Sequence, residues 1–204
     1  MVKETLTNIF KYTWPMMLIF LSILLSLRLA WLIKNKQKIV LYKELIGLFF
    51  VIYILCLFHI VSFQDVSWST QNYIPFREIL RYEVGTGLFF KNILGNTILF
   101  IPYGFFASYY LKLVKLRTIV GLTIFTSFII EFTQSKIGRV FDIDDIILNV
   151  TGGIVGFLLY KLLDYLKDHL PKVFKKHMIL NIIIILLIII FIFYLINLYI
   201  FEVI

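Results

Sequence analysis

The chain has 204 residues, of which 61% are hydrophobic and only 16% charged, with a mean hydropathy of +0.94. A soluble domain is closer to half apolar and a quarter charged, so this composition excludes one and points to a membrane protein. The net charge of +8 argues for no nucleic-acid partner, because the basic residues border apolar runs, where they set orientation and meet anionic lipid headgroups.

Six runs, at 14–33, 44–63, 93–111, 118–135, 143–161 and 178–200, approach the ~20 apolar residues that cross a bilayer core. They predict an all-α, polytopic membrane helical bundle of about six transmembrane helices. Three parts follow: an N-terminal span and basic loop at 1–43, a core of four spans at 44–165 with a long loop at 64–92, and a basic segment with a last span at 166–204. The first run is too long for a signal h-region and no small-residue cleavage site follows it, so it reads as a retained span. Arg28, near its basic end, can snorkel to the headgroups. The single cysteine, Cys56, lies in the second run and excludes an intrachain disulfide.

Lys34 to Lys43, Lys112 to Arg117 and Lys161 to Lys176 are rich in Lys and Arg, and they alternate with the two remaining loops. Placing all three in the cytoplasm puts both termini, the 64–92 loop and the 136–142 turn on the extracellular side. In the long loop, Pro75 precedes apolar residues at 76, 79 and 80, a pattern that predicts a short interfacial helix with Trp68, Tyr73 and Tyr82 at headgroup depth. Pro102 lies inside the third run, where it removes a backbone donor.

The densest polar stretch falls between the fourth and fifth runs and holds Glu131, Gln134, Arg139, Asp142, Asp144, Asp145 and Asn149. Ionisable groups beside lipid-length helices are costly, which marks them as functional candidates. Asn92 and Asn96 open the third run at the same depth. Asp142, Asp145 and Asn149 are spaced three and four apart, on one helical face. Gly152 and Gly156 form a small-xxx-small pair that would carry that face into the bundle. Glu131, Asp142 and Asp145 are the candidates for proton chemistry or for holding a divalent cation, and Asn96, Gln134, Arg139 and Asn149 for binding a ligand. His59, at the matching end of the second run, is a further proton-transfer candidate. Each has a structural alternative as well: first-turn carboxylates cap amides for about 0.3–1 kcal/mol, Arg139 can pair with Asp142, and Asn96 and Asn149 can join helices. For Asp144, off the shared face, capping alone and a part in the site both stay open.

The elements Asn96-x-x-Leu99-Phe100-x-Pro102-x-Gly104-Phe105, Glu131-x-x-Gln134 and Arg139-x-Phe141-Asp142-x-x-Asp145-x-x-x-Asn149-x-x-Gly152 resemble the VanZ-like family, as does Asn72-Tyr73-Ile74-Pro75-Phe76. The resemblance covers residues 70 to 160 and implies a bacterial plasma-membrane protein linked to teicoplanin or lipoglycopeptide resistance, or to envelope biology. It also implies roles for Asn96, Pro102, Glu131, Gln134, Arg139, Asp142, Asp145 and Asn149.

Three functions stay open at this level. One is an outward-facing pocket that engages membrane lipids, a lipid-linked cell-wall precursor or a lipoglycopeptide, with Arg139 on phosphate. The second is a membrane enzyme using the outer carboxylates on a lipid-linked substrate, for which no Cys or Ser nucleophile arrangement and no two-His metal signature is present. The third is a proton-coupled transporter, disfavoured because the polar groups gather at one side.

Overall fold

The structure is a computed structural model that describes residues 2–63 and 71–169, together with Ile185. Its helices are α1 (Val2–Lys34), α2 (Leu41–Phe63), the short α3 (Gly87–Phe89), α4 (Gly95–Leu111), α5 (Leu116–Lys136) and α6 (Ile143–His169). Among the described residues there is no sheet, and the one strand-like feature is an isolated parallel bridge between Asn72 and Asp142. The chain is an all-α, multi-pass membrane protein.

Among the described residues, four segments are long and apolar enough to cross a bilayer: Trp14–Lys34, Leu41–Ser62, Leu116–Lys136 and Ile143–Leu166. The expected third span corresponds to α4, which has 17 residues. A π-helical turn, Phe90–Leu94, joins it directly to α3, so the helical path is longer than α4 alone. The sixth expected span, 178–200, lies outside the described residues apart from Ile185.

The helices alternate in direction. One end of the bundle collects the C-termini of α2 and α5 and the N-termini of α4 and α6. The other end collects Lys34 to Lys43, Lys112 to Arg117 and the C-terminal part of α6 with Lys161.

The closest packing is α4 against α6, and glycines permit it. A Cβ on Gly152 would fall on the Thr97 carbonyl oxygen, one on Gly156 on the Ile101 carbonyl oxygen, and one on Gly104 on the Gly153 carbonyl oxygen. The two backbones touch, as the small-xxx-small spacing predicts. Helix α5 covers the other side of α6 with a buried stripe of Ile119, Thr123, Ser127, Glu131 and Gln134. Spacings of four, four, four and three keep these residues on one face. Most of that stripe is polar, so hydrogen bonds as well as contact hold α5 in place. Asn149 Nδ2 of α6 donates to Ser127 Oγ at 2.8 Å across the contact, whereas Thr123 Oγ1 is satisfied within α5 by the Ile119 carbonyl at 2.8 Å.

Helix α1 packs chiefly on α2. There Arg28 meets Glu44 through two parallel bonds of 2.9 Å and lies 4.9 Å from the Trp31 ring centre. Snorkelling is thus replaced by a bidentate ion pair, which shields both charges where α1 and α2 converge.

The expected interfacial helix after Pro75 is not formed. Phe76 has φ of 67°, which breaks a right-handed helix, and only a single 3₁₀ turn follows at Ile79–Arg81. The amide protons of that segment are bound elsewhere.

Candidate functional site

Those amides go to Asp144. Its carboxylate accepts from the backbone N–H of Phe76 at 2.5 Å, Glu78 at 2.7 Å and Ile79 at 3.2 Å, and from Asn72 Nδ2 at 3.4 Å. Asp144 is 1% exposed. A buried carboxylate is stable when several N–H groups satisfy it, and here a loop from far upstream supplies them. Asp144 therefore clamps the long loop onto the start of α6, a larger role than the helix capping its position suggests.

The loop is fastened by its backbone as well. Asn72 N–H donates to the Phe141 carbonyl at 2.9 Å, and Ile143 N–H donates to the Asn72 carbonyl at 3.1 Å. Asn72 Nδ2 also donates to Asp142 Oδ1 at 2.8 Å, and Tyr73 stacks on Phe141 with ring centres 5.4 Å apart. Asn72 is buried, 3% exposed, and is the residue of the cluster that helix-face reasoning omits. The sequence signal for it is the Asn72-x-x-Pro75-Phe76 element. A proline-led segment that cannot form its own helix must find acceptors for its amides.

The other candidates join around this clamp. The Asp142 N–H donates to Glu131 Oε2 at 3.1 Å. Gln134 is best oriented with its nitrogen donating to Glu131 Oε1 at 3.0 Å and its oxygen accepting from Arg139 Nη1. Arg139 Nη1 also donates to the Val61 carbonyl of α2 at 2.9 Å, and the Arg139 N–H to the Gln134 carbonyl at 3.0 Å. Gly138, at φ of 86°, makes the reversal that returns Arg139 to the end of α5. Across the cluster, Asn96 Nδ2 of α4 donates to Asp145 Oδ1. The π-helical turn just before Asn96 sets the rotation at which α4 presents it.

Glu131, Gln134, Arg139, Asp142, Asp145 and Asn96 thus share one end of the bundle, held by α2, α4, α5 and α6. Asn149 lies one turn deeper along α6 and is engaged with Ser127. His59 stands on α2, two residues before Val61. Among the described residues, no three His, Cys, Asp or Glu side chains are grouped so as to hold a metal ion.

The site has two layers. Glu131, Gln134, Asp144 and Asn149 are buried, while Asn96, Arg139, Asp142 and Asp145 are half-buried and form its accessible rim. Burial pushes the Asp142 carboxyl above its ordinary range, and the bonds it accepts from the Asp144 amide and Asn72 partly offset the shift. Two carboxylates, one guanidinium and one amide therefore remain partly exposed on a scaffold that fixes their positions. Such a rim can hydrogen-bond to a polar ligand at the membrane surface through both donors and acceptors.

The fold and this site together define a polytopic helical membrane protein with a polar cluster at one end of its bundle. The family model described as VanZ/LLP1 matches residues 47–164, more than half of the chain, and the chain belongs to the VanZ/LLP1 family. The match contains every candidate residue named above and leaves out α1. No curated protein and no solved structure matches the chain.

Proposed function

We propose that the polar end of the bundle faces the outside of the bacterial plasma membrane. There it engages the headgroup of a lipid-linked cell-wall precursor, an envelope lipid or a lipoglycopeptide, and thereby contributes to teicoplanin resistance. The supporting observation is the layered cluster itself: four half-buried polar side chains from α4, α6 and the turn before α6, positioned by buried partners that bind one another. A site preorganised in this way spends little entropy on ordering when it captures a ligand. The rim holds acceptors in Asp142 and Asp145 and donors in Arg139 and Asn96, which suits a ligand rich in hydroxyl and amide groups. The outward orientation follows from the gathering of the Lys- and Arg-rich segments at the other end.

Asp145→Asn is the informative variant, because its remaining carbonyl oxygen still accepts from Asn96 and the packing is preserved. In a teicoplanin-sensitive Gram-positive host, the wild-type chain is expected to raise tolerance. Asp145→Asn at equal membrane abundance is expected to lose that gain. Equal protection by the two would refute a role for the rim.

A further inference from the structure

The end of the bundle opposite the polar cluster contains a cavity of about 1360 Å³ between α1, α2, α4 and α6. It exists because α1 leans chiefly on α2, which leaves a gap toward α4 and α6. Gly47 lines the gap opposite Tyr110, whose Oη would lie 3.4 Å from a Cβ at that position. The volume exceeds the roughly 300–1,000 Å³ of a pocket for a drug-sized molecule. Its deep walls are apolar, from Leu24 of α1, Phe50 of α2 and Phe105 of α4.

The mouth has a different character. Lys43, Lys112, Lys161 and Asp164 line it, beside the Arg28–Glu44 pair whose charges cancel. Three ammonium groups thus face a single carboxylate. Among the described residues none of the three lysines is in an ion pair. Lys43 lies 6.0 Å from the Tyr42 ring centre, and Lys161 lies 5.8 Å and 5.7 Å from those of Phe157 and Tyr160. Lys112 is held at the mouth by its left-handed backbone, φ of 49°, which ends α4.

We propose that this groove binds one anionic phospholipid of the adjoining leaflet, with its acyl chains between α1 and the α4–α6 pair and its phosphate among Lys43, Lys112 and Lys161. A cavity of this size with apolar depth fits two acyl chains. The excess of positive charge at headgroup depth selects an anionic headgroup over a zwitterionic one. Contact with four helices distinguishes this lipid from those that line any membrane protein. It also ties α1, which has little direct contact with the rest of the bundle, to α4 and α6.

The test is native mass spectrometry of the full chain in mild detergent, incubated with equal amounts of phosphatidylglycerol and phosphatidylcholine of identical acyl composition. The wild type is expected to retain phosphatidylglycerol about tenfold over phosphatidylcholine, the scale of one to two unpaired lysines at a headgroup. The Lys43→Gln/Lys112→Gln/Lys161→Gln variant, which leaves the helix packing untouched, is expected to bind the two lipids equally. Gly47→Phe, which fills the groove, is expected to retain neither. Parity in the wild type would overturn the proposal, as would a preference that survives the lysine substitutions. If Gly47→Phe does not yield folded protein, the lysine variant decides alone.

Discussion

Replacing Asp144 with alanine should release the long loop from the bundle while leaving the helices inserted. The carboxylate satisfies three backbone N–H groups and the side chain of Asn72 at a position that is 1% exposed. A buried donor left without an acceptor costs about 1–3 kcal/mol. Three orphaned amides therefore cost at least ~3 kcal/mol if the loop stays docked. The loop need not stay docked, because undocking returns those amides to water, so the substitution should appear as local opening. Hydrogen exchange followed by mass spectrometry reads this directly on the peptide containing Phe76, Glu78 and Ile79. A shift of ~3 kcal/mol corresponds to roughly a hundredfold faster exchange. Peptides from the middle of α4 and α6 should be unaffected, since Gly104, Gly152 and Gly156 hold those helices together independently of the loop. Unchanged protection in the Asp144→Ala loop would refute the clamp. Equal loss of protection in the loop and in α4 would mean that Asp144 supports the whole bundle.

Gly152→Ala puts a methyl group on the Thr97 carbonyl, so α4 and α6 must separate at a cost of about 1–3 kcal/mol; a lowered midpoint in a thermal scan of the detergent-solubilised protein checks this. Asn149→Ala removes one interhelical bond to Ser127. Such bonds average about 0.6 kcal/mol in membrane bundles, so the loss should be smaller than for Gly152→Ala in the same scan. The elevated Asp142 carboxyl favours the protonated form in the folded state. Its contribution to stability is therefore full below the ordinary aspartate range and is lost as pH rises through the raised value. Asp142→Asn should flatten that part of the stability profile, and an unchanged slope would exclude Asp142 as its source. Orientation is checked by thiol labelling in intact cells on a Cys56→Ser background. Ile137→Cys, exposed in the turn, should react with a membrane-impermeant reagent, and Lys115→Cys should not.

Much of the helical layout is legible in the residues because lipid imposes simple conditions: long apolar runs span, and charged islands lie between them. The α4–α6 contact is legible in Gly152 and Gly156 for a related reason, since small residues four apart leave nowhere for a bulky ridge. The polar end is legible as a departure from its apolar surroundings, which singles out Glu131, Gln134 and the carboxylates that follow. The partnerships are another matter. Asp144 lies off the face shared by Asp142, Asp145 and Asn149, and helix-face reasoning therefore leaves capping and a part in the site both open for it. Its true partners lie in a loop whose approach no local pattern encodes. The same loop defeats the interfacial-helix expectation, because the pull of Asp144 on three amides outweighs the weak helical preference after Pro75. The Arg28–Glu44 pair is hidden likewise, each residue alone resembling an ordinary interfacial charge.

The clamp also sets an order of assembly. Phe76 and Asp144 are 68 residues apart, so the loop is made well before its anchor. At the usual 5–20 residues per second of synthesis, that interval is about 3–14 s. During it the segment around Asn72 and Phe76 waits with its amides open to water, and the arrival of α6 is the event that closes it. The polar rim therefore comes into existence only with the last described helix, and a nascent chain halted before Asp144 has spans but no site.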